Sequence, residues 1–328
     1  MTTLRMLRVS PLPLVACLAV SFSAFSAMAQ SPKIKKQTHV YKKVGALDIK
    51  LDVHRADDNL KRKVVVWIHG GALINGGRQG ISGRVKKDML GAGYALVSID
   101  YRLAPETKLP GIIEDLEDAF KWIRKEGPKR FNADVSKIAV LGGSAGGCLT
   151  LTAGYRVQPP PDALVSFWGY GDLVGPWYSQ PSPHPRHNRI KIDKALAMKT
   201  LEGPPVANSA DRKSNGGAFY QYCRQQGLWP KLVSGFDPHT EPEKFFPYMA
   251  VKNVTSEYPP TLMIHGTRDT DVPHEQSAMM AEQFRKQGVP HRLISIEGGE
   301  HGLGGGDRDA IEAAYAAMLP FVKKHLGD

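Results

Sequence analysis

Six short apolar segments recur along the chain, and each has glycine, aspartate or serine at or near its end. They contain few polar residues, unlike the regular alternation of a strand that keeps one face in water. Such runs are typical of parallel strands that are covered on both faces. The segments span residues 63–71, 93–102, 136–143, 163–172, 261–269 and 291–299.

Helical patterns lie between several of these segments. Residues 112–127 carry apolar side chains at helical spacing, and residues 274–288 and 309–327 are the later examples. Two earlier segments, 40–44 and 47–55, alternate apolar and polar residues and predict an antiparallel edge. Alternation of strands and helices predicts an α/β fold with a doubly wound, mostly parallel sheet.

One long interval, residues 174–259, interrupts this alternation. It is rich in proline, glycine, histidine and charged residues, with weak helical periodicity only near residues 192–201 and 218–226. So long an irregular stretch between two strands is usually a functional lid or binding insertion. We therefore predict a core made of residues 30–173 and 260–328, with residues 174–259 inserted between late strands as a cap.

The first 29 residues have the pattern of a secretory signal peptide. Arg5 and Arg8 precede an apolar stretch over residues 12–25, and an Ala-Met-Ala sequence ends at Ala29. The apolar stretch is shorter than the roughly 20 residues that span a bilayer, so no stable membrane insertion is expected. The sequence predicts export to the periplasm or outside the cell. Lipoprotein anchoring at Cys17 is the alternative.

The distribution of positive charge along the chain argues against nucleic acid as a partner. The formal net charge is +11, and removal of the two leader arginines leaves 11 − 2 = +9. The basic clusters are short and scattered, with no interleaved aromatic residues and no nucleic-acid-binding motif. We interpret the excess of lysine and arginine as solvated surface.

Cysteine and histidine spacings indicate neither a disulfide framework nor a metal site. Cys148 and Cys223 could pair in an oxidising compartment, but Cys148 lies in a predicted helix and is better explained as a buried thiol. His184 and His187 lie in a proline-rich segment without further ligands at metal-binding spacing. No metal and no cofactor are predicted.

A single serine stands among glycines directly after the third apolar segment. Residues 142–146 read Gly-Gly-Ser-Ala-Gly and match G-x-S-x-G between a predicted strand and a predicted helix. This turn holds the serine in a strained conformation with its hydroxyl exposed above the sheet. Glycine at 142 and 146 avoids collisions with neighbouring backbone. Ser144 is therefore the candidate nucleophile.

A serine nucleophile needs a base and an acid that orients the base. If these follow in the order serine, aspartate, histidine, the acid belongs after the fifth apolar segment, where Asp269 and Asp271 stand. We favour Asp269 because it is closer to the strand end. His301 follows the sixth segment, and its flanking glycines allow a loop to bring the imidazole over Ser144.

The loop after the first apolar segment is suited to stabilise a negatively charged oxygen. Residues 67–73 read WIHGGAL, and main-chain N–H groups there can converge with that of Ala145. His69 in this loop has a rival interpretation as a catalytic base. Its position before the serine does not fit the chain order above, and we expect it to hold the glycine loop by hydrogen bonding.

Five motifs occur in order along the chain, HGGAL, DYRLAPE, GGSAGG, HGTRDTDVP and GGEHG, within a resemblance that covers roughly residues 47–325. In these the chain resembles the α/β-hydrolase superfamily, and within it the hormone-sensitive-lipase-like and feruloyl-esterase-like carboxylesterases. The resemblance implies an oxyanion hole made by the N–H groups of Gly71 and Ala72, joined by Ala145. The usual H-G-G-G reads H-G-G-A here, and the methyl group of Ala72 is expected to narrow the site.

The resemblance implies a serine carboxylesterase, with an acyl-enzyme on Ser144, His301 as base and Asp269 as orienting acid, and the leader predicts that it is secreted. Short-chain or carbohydrate-borne esters are the expected substrates, because residues 174–259 lack a long apolar stripe. Two alternatives stay open: a serine peptidase of the prolyl-oligopeptidase type, and a catalytically silent binding protein with the same fold. Oligomeric state cannot be inferred from the sequence.

Overall fold

The apolar segments form the parallel strands of an eight-stranded sheet in the computed structural model. Two antiparallel strands precede them at one edge, and the spatial order is β1-β2-β4-β3-β5-β6-β7-β8. From β4 to β8, neighbouring strands are parallel. The strands are β1 Ile34–Val44, β2 Leu47–Ala56, β3 Arg62–Ile68, β4 Ala95–Ile99, β5 Ala133–Gly143, β6 Ala163–Phe167, β7 Thr261–Gly266 and β8 His291–Ile296.

Both faces of the central strands are buried, which explains their nearly continuous apolar sequences. In β3, Val64, Val66 and Ile68 enter one hydrophobic cluster. The intervening Val65 and Trp67 enter a second cluster on the opposite face. Successive side chains of a strand point to opposite faces, so two covered faces leave no position for a solvated side chain. The predicted α/β class and mostly parallel sheet are confirmed.

Helices cover the two faces in separate groups. The helices are α1 Gly83–Gly91, α2 Leu109–Phe131, α3 Ala145–Arg156, α4 Pro176–Ser179, α5 Pro185–Asn188, α6 Lys194–Lys199, α7 Gly217–Gln226, α8 Trp229–Ser234, α9 Glu275–Gln287 and α10 Arg308–Leu326. Helices α1 and α10 contribute side chains to the cluster that contains Trp67. Helices α2, α3 and α9 contribute to the opposite cluster.

The strands are mostly shorter than the apolar segments that predict them. The first segment extends to residue 71, but β3 ends at Ile68, and the fifth extends to residue 269, but β7 ends at Gly266. The residues beyond these ends turn away from the sheet as loops at its carboxyl edge. In parallel α/β sheets this edge is where binding sites form.

Between β6 and β7 lies the insertion, residues 174–259. Its described residues form helices α4–α8 and 3₁₀ turns at Ser209–Asp211, Pro242–Tyr248 and Ala250–Lys252. Trp229 is fully buried, with its ring stacked on Tyr178 at a centroid distance of 3.9 Å. Cys148 in α3 and Cys223 in α7 are both buried free thiols. That the insertion acts as a cap stays a prediction.

The structure describes residues 1–2, 33–199, 201, 203–212 and 216–327. Residues from Lys33 onward form one compact unit. All of the predicted signal peptide except residues 1–2 lies in the range 3–32, which the structure does not describe. That prediction, together with the alternative at Cys17, therefore lies outside the described residues. Among the described helices, none combines the length and the apolar character that a membrane span requires.

Candidate active site

Ser144 occupies the turn between β5 and α3 in a strained backbone conformation. Its φ is 57° and its ψ is −123°, which places a non-glycine residue in a region that costs free energy. A Cβ at Gly146 would lie 2.1 Å from the carbonyl oxygen of Ile68, and one at Gly142 would lie 2.3 Å from that of Gly146. Glycine at these two positions is therefore what allows the sharp turn to pack against β3.

The structure brings Ser144, His301 and Asp269 into one hydrogen-bonded chain. The Oγ of Ser144 lies 3.1 Å from His301 Nε2, and His301 Nδ1 lies 2.7 Å from Asp269 Oδ2. Since a carboxylate can only accept, Nδ1 carries the proton and Nε2 is free to accept from the serine hydroxyl. The tautomer is thus the one in which the imidazole can act as a base toward Ser144.

Asp269 is held rigidly below the imidazole. Its Oδ1 accepts hydrogen bonds from the main-chain N–H groups of Asp271 (2.8 Å) and Val272 (2.9 Å). Burial would raise the pKa of this carboxyl, but hydrogen bonds from His265 and His301 outweigh burial and lower the pKa to about 2. Asp269 is therefore ionised throughout the neutral range and stabilises a positive charge on His301.

His265 supports Asp269 from beneath. Its side chain, near the end of β7, is fully buried. Its Nε2 also lies 3.3 Å from Asp269 Oδ2 and 2.9 Å from the carbonyl oxygen of Val272, while Ser277 Oγ lies 2.7 Å from Nδ1. This supporting role could not be inferred from the sequence, because nothing in the IHG segment indicates which carboxylate the ring faces.

The loop after β3 presents main-chain N–H groups near Ser144. Gly71 has φ +111°, Ala72 has φ +57° and Leu73 has φ +61°, so three successive residues adopt positive φ. A Cβ at Gly71 would lie 2.2 Å from the carbonyl oxygen of Asn75, so only glycine fits there. Trp229 of the insertion fixes the loop by donating its indole N–H to the carbonyl oxygen of Ala72 at 3.0 Å.

The predicted oxyanion donors have N–H groups without protein acceptors. Within the described ranges, the N–H groups of Gly71, Ala72 and Ala145 make no main-chain or side-chain hydrogen bond. Gly71, Ala72 and Ser144 line the same pocket. Ala145 is the first residue of α3, whose N-terminal partial positive charge also favours an anion there.

His69 lies behind this loop and away from the serine. Its Nδ1 lies 2.8 Å from the carbonyl oxygen of Gly70, and its ring stacks on Tyr101 with centroids 4.3 Å apart. Burial lowers its pKa to about 4, so the ring is neutral at physiological pH. Nδ1 therefore donates to the Gly70 carbonyl, and His69 holds the glycine loop as expected.

Two pockets meet at Ser144. One, of about 400 Å³, is largely apolar and is walled by Trp67, Ile81, Val85, Phe167, Trp168 and Tyr315. The other, of about 270 Å³, is lined by the glycine loop, by His301 and by Tyr178 and Tyr220 of the insertion. An ester bound at Ser144 therefore has separate spaces for the groups on either side of its carbonyl carbon.

Asp271 lies on the other side of His301 from Asp269. Its Oδ2 is 3.8 Å from His301 Nε2, whereas Asp269 contacts Nδ1. The insertion supplies its other partners, His187, Tyr220 and Arg224. These three residues were not singled out as site residues from the sequence, and nothing in the local pattern of the insertion marks them. They lie 47–84 positions before Asp271 and meet it only in the folded chain.

Known proteins are similar to this chain in sequence and in fold. The BD-FAE family model matches residues 47–160, which contain the glycine loop and Ser144. A model of the prolyl oligopeptidase family matches residues 224–328, which contain Asp269 and His301. An α/β-hydrolase superfamily protein from Enterococcus faecalis superposes with a TM-score of 0.69 at 21% identity, covering 88% of this chain and 99% of that one.

The protein has the α/β-hydrolase fold. A truncated carbohydrate esterase from gut microbiota has the same fold, with a TM-score of 0.65 and 22% identity over 90% of this chain and 98% of that chain. The resemblance noted from the five motifs is thereby confirmed.

Curated relatives also align with most of this α/β-hydrolase chain. Esterase LipC of Mycobacterium tuberculosis is 29% identical over 250 residues, which cover 72% of this chain and 52% of LipC. Other relatives are non-reducing polyketide synthases, of whose much greater length the chain spans only 12–14%.

Proposed function

We propose that this protein is a serine carboxylesterase that acts through an acyl-enzyme on Ser144. The observation that carries the proposal is the unbroken hydrogen-bond chain from Asp269 through His301 to the Ser144 hydroxyl. A serine hydroxyl by itself is a weak nucleophile, and this chain supplies both a base and an acid that orients the base. The esterases among the similar proteins support the same reaction class.

In the proposed reaction, Ser144 Oγ attacks the ester carbonyl carbon while His301 Nε2 takes its proton. The carbonyl oxygen becomes negative and is stabilised by the N–H groups of Gly71, Ala72 and Ala145. His301 then gives the proton to the departing alcohol oxygen, and the acyl group remains on Ser144. A water molecule attacks this acyl-enzyme with His301 again as base, which releases the carboxylic acid and restores the serine.

A fluorophosphonate probe tests the nucleophile. The intact protein should be labelled on Ser144, and Ser144→Ala should not be labelled. Ser136→Ala is the matched control, because Ser136 is exposed and lies at the other end of β5. Absence of label on a folded wild-type protein would instead favour the catalytically silent binding protein.

We propose short-chain or carbohydrate-borne esters as the substrates. The pockets beside Ser144 have volumes of about 400 and 270 Å³, which suit small groups better than long lipid chains. Nitrophenyl esters with acyl chains from acetyl to dodecanoyl should show the highest kcat/KM at the short end. A maximum at dodecanoyl or beyond would contradict this assignment.

A peptidase is the second candidate, because the prolyl oligopeptidase model matches the segment that contains Asp269 and His301. Nitrophenyl esters and nitroanilides of the same aminoacyl groups distinguish the two activities. We expect ester cleavage with amide cleavage lower by orders of magnitude. Efficient cleavage of the nitroanilides would favour the peptidase.

Export is also a proposal, based on the sequence of residues 1–29. Expression of the full chain in a bacterial host should yield a periplasmic or secreted protein whose amino terminus is Gln30. Lipid attached to Cys17 would identify the lipoprotein alternative. Retention of Met1 on protein in the cytoplasm would exclude both.

A further inference from the structure

Asp271 places a carboxylate in the wall of the smaller pocket, which the glycine loop also lines. Its Oδ1 is fully occupied by groups of the insertion. His187 Nε2 lies 3.0 Å from this oxygen, Arg224 Nη1 lies 3.3 Å from it, and the Tyr220 hydroxyl donates a short hydrogen bond to it. The orientation of the carboxylate is therefore fixed by three donors on one side.

The second oxygen, Oδ2, has no such partners. It receives no hydrogen bond from the described part of the chain; Arg186 Nη2 and His301 Nε2 both lie 3.8 Å from it. Burial would raise the pKa of Asp271, but the hydrogen bond from His187 and the positive charges nearby lower it below its usual range. Oδ2 is thus a charged acceptor, open on the side of the pocket that contains Ser144.

The chemistry at His301 determines which half of an ester meets this oxygen. The departing alcohol oxygen must lie against Nε2 to receive its proton, and the smaller pocket is the one lined by His301. The apolar pocket is not lined by His301, so the acyl group belongs there. The alcohol carbon next to the ester oxygen then comes close to Oδ2.

We propose that Asp271 Oδ2 accepts a hydrogen bond from a hydroxyl group of the substrate alcohol, carried by the carbon next to the one that bears the ester oxygen. By this contact Asp271 selects partially esterified polyols. This inference rests on the proposed esterase function. A simple alkyl alcohol has no donor to offer and would leave Oδ2 desolvated without a hydrogen-bond donor, which is disfavoured. The negative charge is already matched by Arg224 and Arg186, so a neutral donor suits the position better than a further cation.

Asp271→Asn is the informative variant. The amide oxygen can keep the three donors at the Oδ1 position, which leaves the amide nitrogen where Oδ2 stood. An acceptor for the substrate hydroxyl is thus replaced by a donor of nearly the same size, while the contacts to the insertion remain. Tyr220→Phe is the matched control, because it removes one donor from Oδ1 and leaves Oδ2 in place.

The assay compares kcat/KM for 2-hydroxyethyl acetate and 2-methoxyethyl acetate, which differ in the hydroxyl donor. The wild-type protein should prefer the hydroxy ester by about tenfold to hundredfold, the range for a hydrogen bond to a charged group. Asp271→Asn should bring the ratio close to one, whereas Tyr220→Phe should keep the preference. Because the readout is a ratio, a general loss of activity cancels.

The possible outcomes distinguish failure of this inference from failure of the proposed esterase function. Equal cleavage of both esters by the wild-type protein would overturn the role of Oδ2 and leave the esterase proposal intact. A preference for acetylcholine, whose alcohol carries a cation, over the hydroxy ester would do the same. Equal loss of preference in both variants would assign the effect to anchoring of the insertion instead. If neither ester nor the fluorophosphonate probe reacts with the wild-type protein, the proposed function itself fails. The wild-type comparison remains decisive even if Asp271→Asn does not fold.

Discussion

Replacing Asp269 by asparagine should remove most of the activity and leave the fold intact. In the wild-type chain Oδ1 accepts two main-chain N–H groups, and the asparagine oxygen can continue to accept both. The amide nitrogen then faces His301 Nδ1, where Oδ2 accepted a proton at 2.7 Å. Two donors cannot share that position, so the imidazole must move its proton to Nε2.

The size of the effect follows from this change of tautomer. With a proton on Nε2, the imidazole donates toward Ser144 and can no longer accept the serine proton. The equivalent change in a Ser-His-Asp enzyme lowers kcat by about 10⁴-fold, or about 5.5 kcal/mol of activation free energy. We expect a loss of this order in kcat for 4-nitrophenyl acetate, with a much smaller change in KM.

Asp271→Asn is the matched control, because the same substitution is made two residues away. Asp271 does not contact His301 Nδ1. The kcat of Asp271→Asn on 4-nitrophenyl acetate should therefore be at least a hundredfold higher than that of Asp269→Asn. Thermal unfolding of both variants establishes that the comparison is between folded proteins. A kcat for Asp269→Asn within tenfold of wild type, or an equal loss in both variants, would refute the assignment of the orienting acid.

Two further predictions concern stability. Gly146→Ala should lower the free energy of unfolding by about 3 kcal/mol or more in urea denaturation, because the new Cβ would lie 2.1 Å from the Ile68 carbonyl oxygen. Gly83→Ala is the control, because a Cβ there meets open space and should not lower the free energy of unfolding. Equal effects of the two substitutions would contradict the packing argument. His69 should contribute to acid destabilisation. The pKa of His69 in the folded protein, about 4, lies below the unfolded value of about 6.5. Its contribution to the free energy of unfolding is therefore fully present above pH 6.5 and falls by about 3 kcal/mol as the pH is lowered toward 4. If the free energy of unfolding of His69→Gln declines as steeply over this pH range, the contribution of His69 is excluded.

The sheet could be predicted because its strands are buried on both faces. The alternation of Val64, Val66 and Ile68 with Val65 and Trp67 between two apolar layers leaves a continuous apolar run in the sequence. The ends of the strands were less predictable, since the glycines and aspartates that follow them belong to loops and carry no periodicity. The extra residues in the predicted first and fifth segments are loop residues of the candidate site.

The candidate triad could also be inferred from the chain, although its members are far apart. Each lies in a short glycine- or aspartate-containing motif directly after a strand, and parallel strands bring their carboxyl ends to one edge of the sheet. The separation of Asp269 from Asp271 needed the structure, because both lie in the same loop. Only the coordinates distinguish the side chain that contacts Nδ1 from the one near Nε2.

The sequence by itself determined the layered fold, the strained serine turn and the order of the reactive residues, because each leaves a local signal in apolar runs and glycine spacing. Tertiary structure decided what surrounds the reactive serine. Trp229 holds the Ala72 carbonyl, and Tyr220 and Arg224 hold Asp271, through contacts between segments 47–157 residues apart. Such contacts depend on the path of the insertion across the sheet edge, which no periodic pattern specifies.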